Sequence, residues 1–313
     1  MMSKQKIIVI TGPTATGKTA LGAQLAKTAN GEVVSADSMQ IYKYMDIGTA
    51  KPTEAEKLGV PHHMIDIVPP WEDYSVARYI HDAALRIDDI STRGKLPILV
   101  GGTGLYIDSL LSGREFRARG DVMLRRKLET EYDDIGGAAM LEKLRAFDCD
   151  SAANLHANDR KRIVRAFEVY ITDGKTISQH DRETKSLPPR YDAVKIALTL
   201  PGREELYSRI DRRVDDMLLR GFEREVRSLI DMGVTPGATS MQAIGYKEIA
   251  GVILDRSSME DAVIKIKMES RRYAKRQLTW LRRDPDVKWR AIEKTRDIES
   301  CVRELLVTAL DLA

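Results

Sequence analysis

The sequence predicts an α/β fold, a parallel sheet flanked by helices and interrupted by an all-helical insert, and three observations carry that prediction. Short β-branched runs alternate with stretches of helical spacing in the first part of the chain, the pattern of strand–helix–strand crossovers. The run KIIVI (6–10) passes through the glycine-rich TGPTATGKT into a helical stretch from Lys18, so strand, loop and helix follow in direct succession. After Gly113 the strand signal disappears, and it returns once, as RYDAVKIALTL (190–200).

The elements follow in order. KIIVI leads through the loop to a helix containing ALGAQLAKTA (20–29), and EVVSAD (32–37) is the second strand. YSVARYIHDAALRIDDIS (74–91) has the spacing of a long amphipathic helix, and LPILVGGTG (96–104) is a strand opening another helix. Val122 to about Arg182 reads as several helices with charged faces, which places a helical insert at 119–188 within a core of 1–118 and 189–313. Gly113 and the LPPR segment, Leu187 to Arg190, are the expected hinges. The strand in 190–200 can rejoin the sheet, and beyond it helices are expected to the end. Ser258 followed by Asp261 resembles a capping box opening a basic helix, which RRDPD stops at Pro285.

Composition narrows the class. A chain of 313 residues, 43% hydrophobic and 31% charged, can bury one substantial core with room for an inserted module. Its longest apolar runs are far too short to span a bilayer and the N-terminus has no signal-peptide core, so a cytoplasmic protein with no membrane partner is expected. Cys149 and Cys301 lack C-x-x-C spacing and read as ordinary reduced cysteines. Without a heptad run or a long bare edge strand, a monomer is expected.

The chemistry begins at the loop. Gly12, Gly17, Lys18 and Thr19 match G-x-x-x-x-G-K-[ST], the loop of P-loop NTPase-like folds. Its glycines let backbone N–H groups turn toward phosphate oxygens, Lys18 adds a point charge, and the Thr19 hydroxyl can ligate magnesium. The phosphate-holding segment is therefore Gly12, Pro13, Thr14, Ala15, Thr16, Gly17, Lys18 and Thr19. In a parallel sheet, ligands sit beyond the carboxyl ends of the strands. The second strand end brings Asp37, Ser38 and Gln40 to that edge, and the third brings Gly101, Gly102, Thr103 and Gly104. A P-loop hydrolase commonly carries an acid at the third position; Gly-Gly-Thr-Gly instead suits close approach of a bulky substrate and group transfer. Asp37 is the one obvious strand-end carboxylate, able either to support magnesium through water or to accept a proton.

Charge is unevenly distributed although the net value is only +3. Lys265 to Arg290 holds ten Lys or Arg against three acids, with Tyr273, Trp280 and Trp289 interleaved. In NDRKRIVRAFEVY (158–170), Ile163, Phe167 and Tyr170 share one helical face while Lys161 and Arg165, four apart, share another. Two basic faces suggest a polyanion longer than a nucleotide.

In order, GPTATGKT, DSMQIY, MDIGTAKP, PHHMID, GGTGLY, NDRKRIVRAFEVY, MQAIGYKE and YAKRQLTW make the chain resemble the bacterial tRNA dimethylallyltransferases from Ile8 to about Trp280. That resemblance implies transfer of a dimethylallyl group from dimethylallyl diphosphate to the exocyclic amine of the adenine 3′ of the anticodon. It implies magnesium as cofactor, Asp37 as general base and Thr103 at the reacting centre, bonding either the diphosphate or the amine. The tRNA anticodon stem-loop would be held by Asp37, Ser38, Met39, Gln40 and Thr103, by Arg125, Lys161, Arg162, Ile163, Val164 and Arg165 of the insert, and by Gln242, Ala243, Ile244, Gly245, Tyr246 and Lys247. Lys161, Thr16 and Leu281 stand where relatives commonly have glutamine, serine and phenylalanine, and none of the three removes a reactive group. His62 and His63 match a family His pair and read as loop packing or a diphosphate-side hydrogen bond rather than a metal site. The competing classes are a small-molecule P-loop kinase, a prenyltransferase acting on free adenine nucleotides, and a non-catalytic RNA binder.

Overall fold

The structure, a computed structural model, describes residues 4–113, 122–254, 256–293 and 295–312. They divide into two compact units, 1–111 with 190–313, and 112–189. The expected core–insert boundary at 118 and 119 lies outside the described residues.

The first unit is an α/β layer structure. Its chain runs β1 (Lys6–Thr11), α1 (Lys18–Thr28), β2 (Gly31–Ala36), α2 (Glu54–Lys57), β3 (His62–His63), α3 (Val76–Thr92), β4 (Leu96–Gly101) and α4 (Gly104–Leu111). Among the described residues the sheet order is β3-β2-β4-β1-β5-β6, where β5 is Asp192–Thr199 and β6 is Lys288–Ala291, and every pairing is parallel. β1 is central: Ile8 pairs with Ile98 of β4 and with Val194 of β5. Ile7, Ile8, Val9 and Ile10 are all fully buried, because helices cover both faces of a parallel sheet, and such a strand reads as a continuous apolar run. On one face Ile8, Ile10, Leu21, Leu25, Ile98 and Leu198 pack together, each contributing about 1.5–3 kcal/mol by burial.

The strand expected at 190–200 thus rejoins the sheet beside β1. Two short edge strands were not legible: β3 is two residues long, and β6, Lys-Trp-Arg-Ala, is mostly exposed and carries no apolar alternation. The remaining α-helices of this unit among the described residues are α10 (Arg203–Leu219), α11 (Phe222–Asp231), α12 (Tyr246–Ile253), α13 (Met259–Leu281) and α14 (Thr295–Leu312), with a short 3-10 turn at Ser240–Gln242. Ser258 caps α13 by accepting from the Asp261 N–H at 3.1 Å, and the helix ends four residues before Pro285.

The second unit is helical throughout its described residues: α5 (Val122–Ile135), α6 (Gly137–Arg145), α7 (Cys149–Ala153), α8 (Arg160–Asp173) and α9 (Ile177–Ser186). Leu144, Ala152 and Ala166 form its centre with Phe147 and Phe167 against them, and Tyr170 stacks on Phe147 at 4.2 Å. No helix among the described residues is long and apolar enough to cross a membrane.

Candidate active site

The glycine loop leaves β1 in a conformation that demands its glycines. Gly12 has φ 138°, and a Cβ there would lie 2.5 Å from the Leu198 carbonyl oxygen of β5. Gly17, at φ 87°, caps the start of α1 in the left-handed region. Between them Ala15 takes φ 65°, a strain of order 1 kcal/mol that this site tolerates. The Thr16 hydroxyl and Lys18 Nζ both donate to the Pro13 carbonyl, at 2.8 and 2.7 Å. The Thr14 N–H donates at 2.9 Å to Gln277 Oε1 on α13.

Beyond the carboxyl ends of β1, β2 and β4 opens a cleft of ≈ 640 Å³ lined by Thr14, Lys18, Thr19, Asp37, Gln40, His62, Gly101, Gly102, Arg213, Tyr273 and Gln277, among others. Burial, then the nearby Arg213 charge, pushes the Lys18 ammonium down to about 7, with Asp37 pulling the other way. Arg213 is itself held below its ordinary value by burial. Two basic groups and an acid at this strand edge make a site that gains from an incoming polyanion. Thr19 and Asp37 offer hard oxygen donors in one cleft, which fits a magnesium ion that keeps most of its waters.

Asp37 follows β2 in a turn. Its Oδ1 accepts from the Met39 and Gln40 N–H groups at 2.8 and 3.3 Å, and Oδ2 carries no hydrogen bond among the described residues. The turn is fixed from the third strand end: the Ser38 N–H donates to Thr103 Oγ1 at 3.1 Å, and the Thr103 N–H donates to the Ala36 carbonyl at 3.1 Å. At that strand end Gly101 and Gly102 form the cleft wall, while the Thr103 hydroxyl holds the Asp37 turn. Gly101 permits this closeness, since a Cβ there would sit 2.2 Å from the Ala36 carbonyl oxygen. The Gln40 amide is engaged internally: Oε1 accepts from Ser35 Oγ at 3.2 Å, and Nε2 donates to the Thr49 and Ala50 carbonyls at 3.3 and 3.2 Å. His62 Nδ1 lies 2.9 Å from the Val60 carbonyl, and His63 Nε2 lies 2.7 Å from Glu32.

A second, more apolar cleft of ≈ 1040 Å³ meets the first at Thr14, Asp37, Arg213 and Tyr273. Met39, Val214, Met217, Phe222, Ile244 and Ile266 supply its apolar wall, with Ser38, Gln242 and Ala243 also lining it. Gln242, Ala243 and Ile244 therefore reach the site, and Lys247 is exposed. Tyr246 does not present a side chain: it is fully buried and donates to Glu225 Oε1 at 2.6 Å. Gly245, at φ 98°, is buried at the turn into α12. Glu225 also accepts from the Asp46, Ile47 and Gly48 N–H groups at 2.8, 2.7 and 3.1 Å, fixing the loop that walls this cleft.

In the helical unit α8 sorts its residues sharply. Lys161 and Arg162 are exposed, whereas Ile163 and Val164 are 0% and 3% exposed and belong to the core. Arg125 and Arg165 both grip the buried Glu168, at 2.8 and 2.9 Å. Burial pushes the Glu168 carboxyl up, yet the two guanidiniums outweigh it and hold the group below its ordinary value. A lone sequence cannot separate a helix's lattice of ion pairs from its free cations, because both read as charge. Arg213, within DRRVDDM, was missed for the same reason, and Gln277 was passed over inside the quoted YAKRQLTW.

A doubly wound parallel sheet with a glycine loop, a cationic cleft and a carboxylate where that cleft meets an apolar one defines a group-transfer enzyme of the phosphate-binding α/β class. The chain belongs to the IPP transferase family: the family model described as IPP transferase matches residues 40–284, and a second, described as isopentenyl transferase, matches residues 5–66. It is similar to the tRNA dimethylallyltransferase of Acetivibrio thermocellus, 49% identical over 284 residues that cover 90% of each chain. The tRNA dimethylallyltransferase of Bacillus cereus (strain G9842) is 47% identical over 302 residues, 95% of this chain and 94% of that one. Among solved structures, a tRNA delta(2)-isopentenylpyrophosphate transferase from Staphylococcus epidermidis superposes with TM-score 0.72 at 41% identity, over 99% of this chain and 100% of that one. A eukaryotic dimethylallyltransferase captured acting on tRNA superposes with TM-score 0.81 at 32% identity, over 96% of this chain and 78% of that one.

Proposed function

We propose that this chain transfers the dimethylallyl group of dimethylallyl diphosphate to the exocyclic amine of the adenine 3′ of the anticodon in tRNA, releasing diphosphate. The observation that carries the reading is the position of Asp37, where the cationic cleft opens into the apolar one. The diphosphate occupies the first cleft against the loop from Ala15 to Thr19, with Lys18 and Arg213 stabilising charge as the allylic carbon–oxygen bond breaks. Magnesium, held by Thr19, would neutralise part of the leaving group. The adenine, extruded from its stack, enters the second cleft beside Met39 and Phe222, and its amine forms the new carbon–nitrogen bond. The amine proton passes to the Oδ2 of Asp37, while Thr103 keeps the Asp37 turn in place. Lys161 and Arg162 of the helical unit, with Gln242 and Lys247 of the core, supply contacts to the anticodon stem-loop. The enzyme acts as a monomer in the cytoplasm.

The test is one incubation of protein, magnesium and labelled dimethylallyl diphosphate with unmodified tRNA, with AMP and ATP as parallel acceptors. Label is expected only in the tRNA adenine. Asp37→Ala is expected to bind tRNA normally and to lose about 100-fold or more in single-turnover rate, the scale of a general base. ATP consumption without label transfer would mean phosphoryl transfer, and label in AMP would mean a nucleotide-directed prenyltransferase.

A further inference from the structure

The tertiary structure gives the YAKRQLTW segment a place that no step above uses. Gln277 is 5% exposed, and each end of its amide closes on a different strand end: Oε1 accepts from the Thr14 N–H of the glycine loop, and Nε2 donates to the Gly102 carbonyl after β4, both at 2.9 Å. The fit is close, since a Cβ on Gly102 would lie 2.2 Å from Nε2. One turn earlier the Tyr273 hydroxyl reaches the same Gly102 carbonyl at 3.4 Å. One turn later Trp280 donates to Asp108 at 2.6 Å and covers Gly104. One face of α13 therefore holds the 102–108 segment through Tyr273, Gln277 and Trp280, and Gln277 is also hydrogen-bonded to the phosphate loop.

The connection continues to the base. Gly102 precedes Thr103, Thr103 Oγ1 accepts from the Ser38 N–H, and Ser38 follows Asp37. We infer that Gln277 is a positioning residue that fixes the glycine loop relative to the Asp37 turn, and so the distance from leaving group to base. It also commits the Thr14 N–H, and Pro13 has no N–H, so neither of these two residues offers an anion a free backbone donor. An amide suits this position and a carboxylate does not: one end must accept and the other must donate.

This inference rests on the transferase reading, and wild-type label transfer tests that reading separately. Gln277→Ala removes both bonds; Gln277→Glu keeps an acceptor for Thr14 but sets a second acceptor against the Gly102 carbonyl. Both are expected to lower the single-turnover rate roughly 10- to 100-fold at saturating tRNA and diphosphate, the scale of a misplaced reacting group. Affinity for tRNA should be unchanged, and affinity for inorganic pyrophosphate with magnesium should fall several-fold. The discriminating readout is a double-mutant cycle: if Gln277 acts through the Thr103–Ser38 contact, Gln277→Ala and Thr103→Val together should cost far less than the product of their separate losses. Wild-type rates in the Gln277→Glu protein, or fully multiplicative losses in the cycle, overturn the inference even if the wild-type protein transfers label normally. Should Gln277→Ala not fold, Gln277→Glu alone carries the cycle.

Discussion

Lys18 faces two opposing demands, burial that favours a neutral amine and a ligand that favours an ammonium. In the free protein burial and Arg213 bring it down to about 7, so at pH 8 it is mostly neutral. A bound diphosphate adds negative charge beside it and raises that value again, and linkage then requires proton uptake on binding. Calorimetry of magnesium pyrophosphate binding at pH 8, in buffers of different ionisation heat, should show uptake of up to about one proton. The uptake should fade below pH 6, where the free protein already holds the proton, and should vanish in Lys18→Met. Uptake that persists unchanged in Lys18→Met would assign the proton to another group. Asp37 shows the complementary logic: one oxygen is held by its own turn and the other left for chemistry.

At the scale of elements, the sheet edge away from the site is fastened by a buried cluster. Glu32 of β2, its side chain 2% exposed, takes both guanidinium nitrogens of Arg93 at 2.6 and 2.7 Å, with Lys95 and His63 each at 2.7 Å. The Arg93 hydrogen bond, aided by Lys95 and His63 and opposed by burial, holds this carboxyl well below the ordinary range. The folded value is depressed, so the stabilisation is fully present above the unfolded carboxyl value near 4.5 and is lost as pH falls through the folded one. Glu32→Gln should lower stability by roughly 1–3 kcal/mol at neutral pH, because it removes charge-assisted hydrogen bonds from cations that are themselves partly solvated. Denaturant melts should show that difference narrowing below pH 4; a constant difference across pH would show the cluster to be packing rather than charge.

At the scale of the whole molecule, each unit carries its own cations. In the helical unit Arg125 and Arg165 are engaged by Glu168, whereas Lys161 and Arg162 face solvent and, among the described residues, make no ion pair. The double substitution Lys161→Ala with Arg162→Ala should weaken tRNA binding and flatten its dependence on salt by roughly 0.7–0.9 logarithmic units per lost phosphate contact. The single-turnover rate at saturating tRNA should stay near wild type. A rate loss that saturation does not repair would place these cations in the chemistry instead of in holding RNA. Glu168→Gln should act differently, loosening the helical unit, since it leaves two guanidiniums around a buried amide.

What the sequence determined by itself was whatever depends on neighbours along the chain. The glycine loop, the apolar runs of β1, β2, β4 and β5, and the Ser258 cap were legible because backbone geometry, strand burial and helix capping are local demands. Asp37 and Thr103 were legible because residues after parallel strands converge on one edge. Only the tertiary structure decided which charged or polar groups are available. Gln277 and Arg213 lie far along the chain from the loop they serve, Arg125 and Arg165 close on one another's acid, and Tyr246 turns inward to Glu225. The reason is physical: whether a side chain presents its polar end to a ligand or to the protein depends on partners brought near by folding.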